Sequence, residues 1–233
     1  MFKGDHPSLG RAFQRATACA RRLGHPRVGV EHLLVGLAGG DDDLAGLLAR
    51  HGATRPVLEE AACVAAPLGA GGAADRELLA PVGVDLEGLV GTDGTRTLDR
   101  LVGRQPLFPL GSGAARRRCA SWEPPLGLDA QGAYGASLRL ALARRERQHR
   151  AEHLAMVLVS LDPGANWVLA QLSIDRRQLL HDLERSFPAP RHRTVSVGVL
   201  GRWRRERELV RRYRATTGRS PIGPGDLAKF VGS

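Results

Sequence analysis

Two stretches of the chain, Val28-Gly29-Val30-Glu31-His32-Leu33-Leu34-Val35-Gly36-Leu37 and His149-Arg150-Ala151-Glu152-His153-Leu154-Ala155-Met156-Val157-Leu158, share a Glu-His-Leu core, and Glu31 and Glu152 stand 121 positions apart. The same offset, applied without a gap, pairs Phe13 with Tyr134, Ala16 with Ser137, Ala20 with Ala141, Asp41 with Asp162, Leu48 with Leu169, Gly52 with Ser173, Thr54 with Asp175 and Leu58 with Leu179. A register held over about fifty positions is a duplication, and a duplicated chain must fold as two copies of one unit.

The unit reads as helical. Apolar residues at Leu9, Phe13, Ala16, Ala20 and Leu23 are spaced four, three, four and three, which makes one helix face, and Gly24 stops it. A turn at 25–30 precedes a short helix from Glu31 to Ala38, with the glutamate in the first turn where the helix dipole favours a carboxylate. Asp41-Asp42-Asp43 caps a third helix through Leu44, Leu47 and Leu48 that stops at Gly52, and Thr54 caps a fourth with Pro56 in its first turn. In the second copy Asp162-Pro163 and Asp175 are the caps, while Arg145-Glu146 replaces Gly24-His25 and His149-Arg150 replaces Val28-Gly29. The fold class expected is all-α: two pseudo-symmetric four-helix repeats forming two lobes, residues 1–66 and 126–187, with Phe13 and Tyr134 at equivalent buried positions.

Residues 67–125 lose the helical period and are rich in Gly, Pro and Ala, so they read as a linker. One piece of it, Leu78-Leu79-Ala80-Pro81-Val82-Gly83-Val84-Asp85-Leu86, resembles the ends of both copies and predicts a partial third copy with a helix near 78–90. After Pro188-Ala189-Pro190 a basic tail, 188–233, carries +8 of the formal net charge of +10. A helix over 202–215 within it would set Arg202, Arg204, Arg205, Arg211 and Arg212 beside Trp203 and Tyr213. Such a segment suits a solvated surface, nucleic acid stacked on its aromatics, or an acidic protein.

Composition narrows the function. Aromatics are 4% of the 233 residues, so the core is Leu, Val and Ala, which suits helices packed through small side chains. No apolar run approaches the roughly 20 residues of a membrane span, and Met1 to Pro7 has no apolar signal core, so a cytoplasmic protein without membrane contact is expected. Cys19, Cys63 and Cys119 are too scattered for a disulfide framework or zinc. The only lysines, Lys3 and Lys229, are not followed by Ser or Thr, which excludes a phosphate-binding P-loop. His149-Arg150-Ala151-Glu152-His153 fits the His-x-x-Glu-His signature of inverted zinc peptidases. Val28 stands where His149 does in the first copy, however, and Glu-His persists there, so the pair has a reason to exist without metal. With no nucleophile-base pair apparent, no catalytic residue, metal or cofactor is expected. His32, His153 and Gly29 read as parts of a packed turn.

Leu23-Gly24-His25 followed by Gly29-Val30-Glu31-His32-Leu33-Leu34-Val35-Gly36-Leu37 resembles the repeat motif of the Clp amino-terminal domain, the substrate-receiving module of ClpC-type unfoldases. The resemblance covers 1–62 and 126–187. It implies a non-enzymatic protein-binding module of the Clp system, acting as adaptor, decoy or sequestering protein. The partners implied are a Clp unfoldase, its adaptors or its substrates, phosphoarginine proteins, or a small-molecule ligand. Glu31 and Glu152 match the glutamates that approach the phosphoarginine guanidinium in relatives. Where those relatives open each repeat with Phe-Thr, this chain has Asp5-His6 and Leu126-Gly127. The alternative is a nucleic-acid-binding regulator acting through the arginine-rich tail.

Overall fold

The computed structural model describes residues 2–86, 88 and 123–190. The helix expected over 202–215, with Arg202, Arg204, Arg205, Arg211 and Arg212, lies outside the described residues, as does Cys119. Within them the chain forms α1 (Pro7–Leu23), α2 (Val30–Ala38), α3 (Asp43–Arg50), α4 (Arg55–Ala65), α5 (Gly69–Leu79) with a 3-10 turn at Ala80–Val82, α6 (Leu128–Ala143), α7 (Ala151–Leu161), α8 (Pro163–Gln171) and α9 (Arg176–Ser186). The fold is all-α, and the described residues contain no strand beyond two isolated bridges. None of their helices is long and apolar enough to cross a membrane.

The duplication persists in three dimensions. Helices α1 and α6 start at Pro7 and Leu128, α2 and α7 at Val30 and Ala151, and α4 and α9 at Arg55 and Arg176, each pair 121 residues apart. Asp42 and Asp162 cap α3 and α8 by accepting the Ala45 and Ala165 amides, and Asp175 caps α9. Thr54 holds the cap position of α4 but makes no side-chain capping bond. Left-handed backbone ends the helices in both copies. Gly24 (φ 71°) corresponds to Arg145 (φ 57°), and Gly52 (φ 82°) to Ser173 (φ 54°). The second copy therefore keeps the path with residues carrying a Cβ, a conformation that costs about 1–2 kcal/mol outside glycine.

The repeats do not stand apart as two lobes. The segment leading into α1 pairs with the turn before α7: His149 N–H donates to Gly4 O at 3.0 Å, and His6 N–H to His149 O at 2.7 Å. Reciprocally, Val28 N–H donates to Pro125 O at 2.8 Å, and Gly127 N–H to Val28 O at 2.9 Å. Each repeat thus lends its leading segment to the other across a pseudo-two-fold axis. Phe13 and Tyr134, equivalent in the two copies, meet there edge to face with ring centroids 5.8 Å apart. Phe13 is buried while Tyr134 is half-buried, its hydroxyl bonded to Asp5 Oδ2 at 2.7 Å. One apolar cluster runs through both repeats, with α2 and α7 at its centre. Every residue of α2 from Val30 to Leu37 is buried. Burial on all sides is what an apolar helix without a polar stripe requires.

The stretch read as a linker contains a packed helix, α5, that begins upstream of the helix expected near 78–90, a range that lies partly outside the described residues. The buried face of α5 is Ala70, Ala73 and Ala74. It packs on α8 where Gly164 leaves room: a Cβ at 164 would fall 2.6 Å from Gly71 N and 2.9 Å from Ala70 C. Trp167 Nε1–H of α8 donates to Glu77 Oε1 at 2.5 Å. A face of alanines has no Leu/Val period to read, which is why periodicity misses it. The piece resembling a third copy is a shared helix ending. Leu48, Leu79 and Leu169 each accept an amide five residues on, from Ala53, Val84 and Ile174, around left-handed Gly52, Gly83 and Ser173.

Candidate binding site at the two motif glutamates

The turn into α2 is built by the motif itself. Gly29 is the N-cap, and His32, three residues on, turns its ring back so that Nδ1 lies 3.1 Å from the Gly29 amide, the place a Glu or Gln takes in a capping box. His32 Nε2 lies 2.9 Å from His25 Nδ1. In the second copy Arg150 is the N-cap and donates its amide to His153 Nδ1 at 3.0 Å, leaving the ring proton on Nε2, which faces Glu146 Oε1 at 3.1 Å. Glu146 thus takes over from His25 as the ring's outer partner. Burial pushes the His153 pKa below its ordinary value, against the opposing pull of Glu146.

The two glutamates occupy unlike surroundings. Glu31 is 2% exposed, with Oε1 at 2.9 Å from His32 Nδ1 and Oε2 accepting the Ala70 amide at 3.1 Å. It is a cap for the N-terminus of α5, and Arg27 fastens the same end by donating to Leu68 O. This arrangement needs Gly29, because a Cβ there would lie 2.3 Å from Glu31 Oε1. Burial by itself would raise the Glu31 carboxyl; the facing His32 nitrogen and the amides outweigh it and hold the pKa below the usual range. Asp129, from the first turn of α6, accepts the Val30 amide at 3.1 Å in the same region. Desolvation, and then the nearby Glu31 charge, push its pKa up to about 6.

Position 150 carries a Cβ, so the folded-back rotamer of Glu31 is closed to Glu152. Glu152 instead lines an open pocket of about 130 Å³ with Arg144, Glu146, Arg150, His153, Met156, Phe187 and Pro188. Its Oε2 is buried without a hydrogen-bond partner. Arg144, on the pocket wall, is held by Glu146 Oε1 at 3.3 Å from Nε and by the Phe187 carbonyl. The pocket thus offers one unsatisfied carboxylate oxygen among fixed charges, a place for a cationic or N–H donor.

A second constellation was not apparent in the sequence, because its members are far apart there. Ser137 Oγ lies 2.8 Å from His149 Nε2, and His149 Nδ1 lies 2.9 Å from Asp5 Oδ1. This is the order of a hydrolytic triad. Ser137 and His149 are both 0% exposed, however, and the serine hydroxyl donates to Tyr134 O at 2.9 Å, so no substrate can reach it. The line of residues instead seats Asp5, and with it the leading segment, on the second repeat. Both His149 nitrogens being engaged there, the His149/His153 pair, with rings 6.1 Å apart, is not arranged around a shared ligand.

No family model matches the chain, and no curated protein does. Among solved structures, the chain is similar to the N-terminal domain of the caseinolytic protease associated chaperone ClpD from Arabidopsis thaliana, at 18% identity over 80% of this chain and 96% of that one, with a TM-score of 0.49.

Proposed function

We propose that this chain is a non-enzymatic protein-interaction module of the Clp chaperone type, and that it receives a cationic side chain of a partner protein at Glu152. The observation that carries the reading is the open pocket with the buried, unpartnered Glu152 Oε2. The motif resemblance supplies the class of partner: Clp adaptors or substrates, with an arginine or phosphoarginine as the group that fits a carboxylate. Glu31, which the resemblance pairs with Glu152, has its carboxylate taken up by the Ala70 amide, so its part in this reading is structural.

The test is titration of the full chain with a fluorescent peptide carrying phosphoarginine, and with the same peptide unmodified. Glu152→Ala should weaken binding about tenfold or more, as loss of a charge-assisted hydrogen bond of about 1.5–3 kcal/mol implies. Glu31→Gln should lower thermal stability and leave the affinity near that of the parent. Equal affinity of Glu152→Ala and parent would refute the assignment. Capture of duplex DNA in place of peptide, weakening steeply with salt, would favour the nucleic-acid alternative.

A further inference from the structure

Four helices begin around one group of carboxyls. Asp129, in the first turn of α6, accepts the Val30 amide at the start of α2, and Glu31 of α2 accepts the Ala70 amide at the start of α5. Asp162 accepts the Ala165 amide at the start of α8. Helix α5 meets this group with small residues. A Cβ at Gly71 would lie 3.8 Å from both Cβ and Oδ2 of Asp129, while one at Gly164 would lie 2.6 Å from Gly71 N and 2.8 Å from Val30 Cγ2. The charged side chains facing Asp129 are Glu31 from α2 and Arg27 from the turn before it. From α5 it meets none: that helix starts Gly69-Ala70-Gly71-Gly72, and its Asp75, Arg76 and Glu77 are exposed. From α8, Asp162 faces Glu31 in turn.

Lifting α5 takes the Ala70 amide from Glu31 and the Gly71 backbone off Asp129, which hydrates both carboxyls. We infer that α5 is a pH-gated strap, seated on α8 while Asp129 is protonated and released from it as Asp129 ionises beside Glu31. Burial works against the Glu31 charge, but His32 and the Ala70 amide outweigh it and keep this carboxylate ionised. Desolvation, and then Glu31, push the Asp129 pKa up to about 6 from its ordinary 3.8. The seated strap therefore favours the protonated acid; that advantage is complete below 3.8 and is lost as pH rises through about 6. Burial, with Glu31 behind it, pushes Asp162 in the same direction. Release uncovers the seat of α5, where Val30, Gly164 and Trp167 meet it. The strap uses no residue of the Glu152 pocket and does not rest on the reading given to that pocket.

Native-state hydrogen exchange of the full chain, with the intrinsic amide rate divided out, reads the opening constant at Ala70 and, for global unfolding, at Leu33. Ala70 should open more readily than Leu33 at every pH. A carboxyl passing from a pKa of about 6 to 3.8 on release should raise the Ala70 opening constant about tenfold between pH 5 and pH 7, and leave it nearly level from pH 7 to pH 8. Asp129→Asn, which keeps an acceptor for the Val30 amide, should hold the rise to about twofold or less, the remainder belonging to Asp162. Should that variant fail to fold, the comparison within the parent still decides. Equal opening constants at Ala70 and Leu33 would mean that α5 leaves only with the whole fold, and they overturn the inference. A pH-independent opening constant at Ala70 in the parent, or a rise of about tenfold kept in Asp129→Asn, overturns it as well.

Discussion

Asp129 shows what a single buried carboxyl does to this fold. Its folded pKa of about 6 lies above its ordinary 3.8, so its favourable contribution is complete below pH 3.8 and is lost as pH rises through 6. Asp129→Asn keeps an acceptor for the Val30 amide and removes a charge facing Glu31. It should therefore raise the melting temperature at pH 7.5, by an amount corresponding to at most about 3 kcal/mol, and give no gain at pH 3.5. Melts of parent and variant at both pH values check this; a gain of equal size at pH 3.5 would contradict it. Gly29 answers to sterics rather than torsion, since its φ of −91° suits any residue. Gly29→Ala should destabilise by about 1–3 kcal/mol through the collision of the new Cβ with the Glu31 carboxylate, measured by chemical denaturation. The motif itself was legible in sequence as Glu-His at a helix start. That one glutamate is sealed and the other open was not, because the difference depends on what the chain does at Ala70, 39 residues away from Glu31.

At the level of helices, the elements that sequence reading recovers are those with a wide apolar stripe and a hydrogen-bonding cap, such as α1 and α8. Helix α5 escapes it, having only alanines to bury and no capping side chain of its own; its cap, Glu31, comes from α2. Its seat is therefore fragile. Gly164→Val would place side-chain atoms against the α5 backbone and should push the helix off α8, destabilising by about 1–3 kcal/mol or more. Hydrogen exchange at the Ala70 amide reads the event directly: the variant should lose protection there before it loses protection in α2. Uniform loss across both helices would instead mean that α5 is part of the global unit. The helix ends carry a prediction of opposite sign. Arg145 occupies the left-handed position that Gly24 fills in the first copy, so Arg145→Gly relieves strain of about 1–2 kcal/mol while adding unfolded-state freedom of about 0.4–1 kcal/mol. A net stabilisation of about 0.5 kcal/mol should appear in denaturant melts, and the same change at an exposed mid-helix position such as Arg139 should destabilise.

For the molecule as a whole, the duplication announced the helices but not how the copies meet. An offset in sequence says that two units are alike; it carries no information on whether they stand side by side or interlock. The answer lies in hydrogen bonds between the segment opening one repeat and the turn of the other, made by backbone groups and so independent of residue type. Interlocking has a consequence for unfolding. Asp5 belongs to the first repeat by sequence, yet its carboxylate is bonded to His149 of the second, whose ring is fully buried. Asp5→Ala leaves a buried imidazole nitrogen without its partner, which costs about 1–3 kcal/mol. Were the repeats independent lobes, that loss would fall on the second alone. Because one core serves both, the exchange free energies of the core amides of Leu33 and Leu154 should drop together and by equal amounts. Native-state hydrogen exchange on parent and Asp5→Ala decides the matter. A fall at Leu154 with Leu33 unchanged would show that the swapped segments join two separately stable bodies, and that the shared core contributes little to their cooperation.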